Sequence, residues 1–319
     1  MAPKDSGIDE GAERHGLRAA YRSRGGGARG CVLSVWGLTM RTISSTVISE
    51  TVARLCQQAN YRLPPDVLAS LVTARERETT PRACGVLDQI LDNAHVARER
   101  GIALCQDTGI AEVYLKMGQD AHIEGESLQE AVDRGVAQGY TTGFLRPSIV
   151  KDPLDRVNTG DNTPAVLSVT IVPGDKIEIT VLPKGGGTEN ASAMRMFPPS
   201  AGWSAVMDFV LETVREKGIN ACPPLIIGVG IGGSFGTVCG LAKKGLFRPV
   251  GSVASDPAYA AREKELLSAV NSLDIGPMGL GGRTTALAVH IEHGPCHIAC
   301  LPVAVSLLCH SMRRLTETL

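Results

Sequence analysis

Between residues 44 and 100, apolar side chains recur at helical spacing. Val47, Val52, Leu55 and Cys56 form one stripe, Val67, Leu68, Leu71 and Val72 a second, and Val86, Ile90, Leu91 and Ala94 a third. A period of three to four predicts amphipathic helices. Pro64-Pro65 cannot sit in a helix interior and separates the first helix from the second. After residue 110 the pattern becomes mixed. Residues 111–115 read as a strand and 128–137 as a helix, while 165–172 and 177–182 read as paired strands joined by the turn Pro173-Gly174-Asp175. Farther on, 205–216 and 260–271 are helical, and 225–229, 285–291 and 299–305 are strand-like. A short helix is expected over 306–315. The fold class that follows is α/β: a helical N-terminal region, then mixed β-sheets flanked by helices, in a single large domain.

Residues 1–39 lack this order. They mix charges with Arg24-Gly25-Gly26-Gly27-Ala28-Arg29-Gly30 and are expected to form a disordered extension. Asp5, Asp9, Glu10 and Glu13 argue against a mitochondrial transit peptide. Met40 is expected to be the natural start, and 40–319 the folded domain.

Composition narrows the functional classes. There are 32 basic and 33 acidic residues for a formal charge of -1, without the basic footprint of a nucleic-acid binder. No apolar run is long enough to cross a bilayer, so a soluble chain is expected. Nine cysteines occur, an odd number, and no secretory h-region precedes them. Reduced thiols in a cytoplasmic protein are therefore expected, available for packing, metal binding or catalysis.

Several stretches carry candidate chemistry. In Cys105-Gln106-Asp107-Thr108-Gly109 an apolar run ends in a thiol, an amide and a carboxylate at a turn. Cys222 precedes Pro223-Pro224, and Cys309 lies near the C-terminus. These cysteines are too far apart in sequence for spacing to argue a shared site, and buried free cysteine is the plain alternative. Were they to hold a four-iron cube, one iron would lack a thiolate and could act as a Lewis acid on a hydroxyl. Asp107 would then be placed for acid–base or orienting work. Lys184-Gly185-Gly186-Gly187-Thr188-Glu189-Asn190 offers backbone amides to an anion, and Arg146 a bidentate carboxylate clamp. Two further patterns are weaker. Gly228-Val229-Gly230-Ile231-Gly232-Gly233 matches a dinucleotide fingerprint, but its would-be acidic partner Asp256 follows a loop-like run. His293, Cys296, His297 and Cys300 repeat at a spacing of four, but Gly294-Pro295 interrupts a zinc-binding helix.

Together, Cys105-Gln106-Asp107-Thr108-Gly109, Asn158-Thr159-Gly160, the Lys184 motif, Cys222-Pro223-Pro224, and the run from His297 to Val305 followed by Cys309 resemble one family. It is the iron–sulfur hydro-lyase family of class I fumarate hydratase and L-tartrate dehydratase, in its α subunit or N-terminal domain. The resemblance spans about residues 40–314. It implies a [4Fe-4S] cluster on Cys105, Cys222 and Cys309, around which the domain is built. It also implies substrate contacts from Gln106, Asp107, Arg146 and Gly187, and His297 near the reacting centre. The expected reaction is reversible hydration of fumarate to malate. Tartrate dehydration is the alternative within the family, and a non-catalytic cluster-binding subunit the alternative outside it. The family's second catalytic domain has no counterpart in this sequence, so a separate β subunit and a hetero-oligomer are expected, acting on a small dicarboxylate.

Overall fold

The computed structural model describes residues 41–319, so the expectation of disorder for 1–39 lies outside the described residues. Strand β1 (Arg41–Ser44) leads into α1 (Ser45–Tyr61), whose first turn is capped by the Ser44 hydroxyl accepting from the Thr46 amide at 3.2 Å. Helices α2 (Pro65–Arg77) and α3 (Pro81–Arg100) each begin on a proline at the first helical position. The latter stops at left-handed Gly101. These are the three helices that the apolar stripes predict.

Strands β2 (Ile110–Gly118) and β3 (Ala121–Glu124) follow, then α4 (Leu128–Thr142), opened by a capping box of Ser127 and Glu130. Next come β4 (Val166–Val172), β5 (Ile177–Lys184), the five-residue α5 (Gly186–Asn190) and β6 (Ala193–Phe197). The rest comprises α6 (Gly202–Lys217), β7 (Leu225–Gly233), α7 (Val238–Gly245), α8 (Pro257–Asn271), β8 (Ala286–Cys296), β9 (Leu301–Leu308) and β10 (Leu315–Thr318).

Two four-stranded mixed sheets carry the fold, in the orders β10-β5-β2-β4 and β6-β9-β7-β8, beside a small β1-β3 pair. The first sheet buries Val113, Leu115, Ile177 and Ile179 against Ile48, Val52 and Leu55 of α1 and Val132 and Val136 of α4. The second buries Ile227, Val229, Val303 and Val305 against Phe209 and Val210 of α6 and Leu266 and Val270 of α8. A third cluster, with Leu71, Leu87, Leu182, Ile226 and Met312, joins the helices to both sheets. No described helix is long and apolar enough to cross a membrane.

Two expectations need correction, and one discounted pattern is explained. Strands β4 and β5 are not partners: β2 lies between them, parallel to β4 and antiparallel to β5. Local alternation identifies strands but says nothing of which neighbour each one takes. Residues 306–315 are not helical, since β9 runs to Leu308 and, after a turn, β10 pairs antiparallel with β5. The backbone pairing available on the edge of β5 outweighs local propensity there. The Gly228 stretch is the interior of β7 and no phosphate loop. A Cβ on Gly228 would meet the Ala242 carbonyl oxygen at 2.1 Å, and one on Gly230 the Val238 carbonyl oxygen at 2.3 Å. Those glycines let α7 lie directly on the strand.

Candidate active site

Cys105 sits on the loop between α3 and β2, and that loop is held on every side. The Leu104 amide donates to the Asn60 carbonyl at 2.9 Å, and the Asn93 side chain donates to the Leu104 carbonyl at 2.9 Å. Gly109 has φ +75, and a Cβ there would meet the Lys184 backbone at 2.6 Å, so only glycine suits the turn. The Tyr140 hydroxyl lies 2.8 Å from the Thr108 carbonyl oxygen and 3.0 Å from that of Gly109. Burial raises its pKa, so it stays a donor. Asn162 donates to the Gly109 carbonyl at 3.1 Å and accepts from the Ser148 amide at 2.6 Å.

Asp107 is the hinge of the site. Its Oδ1 accepts from the Gly109 amide at 3.0 Å and its Oδ2 from the Gly186 amide at 2.8 Å. The glycine loop thus spends an amide on the protein's own carboxylate, where an external anion was expected. Gly187 in turn abuts the third segment: a Cβ on it would meet the Asn220 carbonyl oxygen at 2.9 Å. The loop is closed at its base by the ion pair of Lys184 and Glu189 at 2.7 Å, with Lys243 of α7 bridging Glu189 and Glu112.

Cys222 follows the 3-10 turn Gly218–Ala221 in a left-handed conformation, φ 54. Its carbonyl oxygen accepts from the His310 amide at 3.4 Å and the His310 Nδ1 at 3.0 Å. Burial lowers the pKa of that ring, leaving the neutral form as the Nδ1–H donor. The Met278 amide donates to the Pro223 carbonyl at 2.8 Å. Cys222 and Cys309 therefore meet at one end of the second sheet, where β7 begins and β9 ends.

The three thiols feel one another. Burial, followed by the approach of Cys105, raises the pKa of Cys222. Burial raises that of Cys309, opposed by Arg313, with Cys105 and Cys222 adding to the rise. Among the described residues, no three His, Cys, Asp or Glu side chains gather tightly enough for a single metal ion. A polynuclear cluster spreads its ligands around a larger core, and three thiols that raise one another's pKa, on segments joined by a buried arginine, fit such a group.

Gln106 is exposed beside Cys105, and its Oε1 accepts from the Cys105 thiol at 3.4 Å. Arg146 is exposed too, and its carbonyl is tied to the loop by the Thr108 hydroxyl at 3.0 Å. Asn158 braces the neighbouring segment through the Pro147 carbonyl at 3.1 Å. His297 is placed elsewhere. It is exposed on the connection from β8 to β9, beyond Gly233, at the opposite end of β7 from Cys222. The length of that strand puts it roughly 25 Å away. Cys296 and Cys300 share that far end, where the Cys296 thiol donates to the Cys300 carbonyl at 3.3 Å.

Sequence reasoning missed the supports: Asn60, Asn93, Tyr140, Asn162 and Arg313, of which Asn60, Tyr140, Asn162 and Arg313 are buried. The available signal was a polar group on the buried stripe of a helix, as with Asn60 on α1 and Tyr140 on α4.

The family model described as fumarate hydratase (Fumerase) matches residues 49–318. A Methanocaldococcus jannaschii protein described as "Putative L(+)-tartrate dehydratase subunit alpha" is 40% identical over 273 residues, covering 84% of this chain and 95% of its own length. The L(+)-tartrate dehydratase subunits alpha of Escherichia coli strains UTI89 and K12 are each 34% identical over 271 residues, covering 84% of this chain and 89% of their own lengths.

Proposed function

Since the chain belongs to the fumarate hydratase family, we propose that it is the α subunit of a [4Fe-4S] hydro-lyase that adds water to, or removes it from, a small dicarboxylate. The observation that carries this reading is the meeting of the Cys105 loop, the Gly187 loop, Cys222 and Cys309 at one place, with Asp107 hydrogen-bonded between the first two. When bound, the cluster supplies a Lewis acid at the iron that lacks a thiolate.

The chain's own groups do the rest. Asp107, fixed through both oxygens by backbone amides, holds one orientation and keeps lone pairs for a substrate hydroxyl or water. The exposed Arg146 guanidinium, anchored by its backbone to Thr108, offers a fork to a substrate carboxylate. Gln106 adds an amide beside Cys105, and Gly187 brings backbone close to the substrate because it carries no side chain. His297 lies beyond the far end of β7, so no step within one chain is given to it.

Reversible hydration of fumarate to malate is the first reading. Dehydration of tartrate is the second, favoured by the descriptions of the relatives. Because those relatives are named as alpha subunits, a β subunit is part of the proposal. Anaerobic reconstitution of the chain with iron and sulfide, with and without the β-like product of a neighbouring reading frame, tests it. Malate or tartrate turnover only with both chains is expected, and the better substrate selects the reading. A loaded but inert pair would point to a non-catalytic cluster-binding subunit, and full activity of this chain alone would overturn the need for a partner.

A further inference from the structure

Arg313, on the turn between β9 and β10, is 3% exposed. Its Nη1 donates to the Asn60 Oδ1 at 2.8 Å and to the Asp107 carbonyl oxygen at 3.0 Å, and its Nε is buried with no partner. Other sheltered arginines are matched: Arg248 pairs with Glu263 at 2.6 Å, and Arg314 with Asp66 at 3.0 Å. Among the described residues no carboxylate pairs with Arg313, whose contacts are neutral oxygens. A guanidinium cannot shed its proton at ordinary pH, and a buried charge without a counter-charge is strongly disfavoured. Something negative must therefore stand beside it in the working protein.

The thiols can supply that charge, because Arg313 joins the two segments that carry Cys105 and Cys309. Cys309 is four residues earlier on the same segment, where the guanidinium lowers its pKa against burial, and Asp107 connects Arg313 to the Cys105 loop. Three thiolates on a cluster core of two positive charges leave one net negative charge, which a single arginine balances. Resting on the function proposed above, we infer that Arg313 is the counter-cation of the thiolate-bound group and, through the Asp107 carbonyl, a positioning residue for the Cys105 loop. Net charge and nearby dipoles set the potential of such clusters, so removing this charge makes reduction harder.

The test is the midpoint potential of the anaerobically reconstituted chain, titrated with dithionite and followed by electron paramagnetic resonance. Arg313→Gln, which keeps a hydrogen-bond donor without the charge, is expected to shift the potential to more negative values. Arg313→Lys, which keeps the charge, is expected to stay near the native value. Equal potentials in all three proteins, or equal shifts in both variants, would overturn the inference. If Arg313→Gln retains no cluster, the urea midpoint of the metal-free chain decides. A midpoint equal to or above that of the native apo chain fits removal of an unmatched charge, and a lower one means that Arg313 is only a structural strut. A native chain that takes up no cluster would instead defeat the function proposed above, which separates the two failures.

Discussion

Lys184 and Glu189 close the glycine loop across its base: Nζ lies 2.7 Å from Oε2, and the lysine is 1% exposed while the glutamate reaches Lys243 as well. The two partners are therefore unequal. Removing Glu189 strands a buried ammonium, whereas removing Lys184 leaves Glu189 facing Lys243. Loss of one partner of a buried pair costs about 3–5 kcal/mol. Glu189→Gln is expected near the lower end of that range and Lys184→Met well below it. The urea midpoints of the two metal-free variants check the order, and the reverse order would remove the asymmetry argued here.

The contact of α7 with β7 makes a second prediction. Gly228→Ala drives a methyl group into the Ala242 carbonyl oxygen, so α7 must shift and carry Lys243 with it. Overpacking of this kind costs about 1–3 kcal/mol. Gly240 lies on the exposed side of the same helix with no atom within 4 Å of its would-be Cβ. Gly240→Ala is therefore expected to raise stability by about 0.5–1 kcal/mol through helix propensity. Thermal melts of the two variants should move in opposite directions.

His290 gives the fold an acid limit. Its Nδ1 is 3.0 Å from the Gly245 carbonyl oxygen, its Nε2 is buried without a partner, and burial, with Arg248 nearby, lowers its pKa to about 4. An unfolded histidine titrates near 6.5, so between these values the unfolded chain binds the extra proton. Stability is thus complete above about pH 6.5 and declines as pH falls towards 4, by roughly 3 kcal/mol at most. In His290→Asn, whose amide can replace the Nδ1–H donor, the decline between pH 7 and 5 should be smaller. His310 is also shifted downwards and remains in both proteins, so the difference between them isolates His290.

What the sequence disclosed follows from the range over which its signals act. The stripes of α1, α2 and α3 were legible because helical burial repeats within one turn, and the Cys105 loop because thiol, carboxylate and glycine are adjacent. The place of β2 between β4 and β5, and that of β10 on β5, depends on partners distant in sequence. For the same reason Arg313 stayed hidden: beside Arg314 it looks like any surface cation, and only the fold brings it to Asn60 and Asp107. The run from His297 to Cys309 was legible as a motif, but not that β9 holds its two ends apart.

That separation decides which cysteines can serve together. Cys309 lies where β9 ends, against Cys222, and Cys300 lies before β9 begins, at the other end of the sheet beside Cys296. Serine in place of a ligand thiol removes the soft donor with almost no change of volume, so the metal-free fold should be indifferent while the cluster should not. Cys105→Ser, Cys222→Ser and Cys309→Ser are each expected to lose most of the iron and the visible absorption after anaerobic reconstitution. Cys296→Ser and Cys300→Ser should retain both. The five apo proteins should melt within a few degrees of one another, because none of these thiols belongs to the apolar core. Retention of the cluster by Cys309→Ser, together with its loss in Cys300→Ser, would move the centre to the far end of the sheet and leave the Arg313 charge unmatched once more.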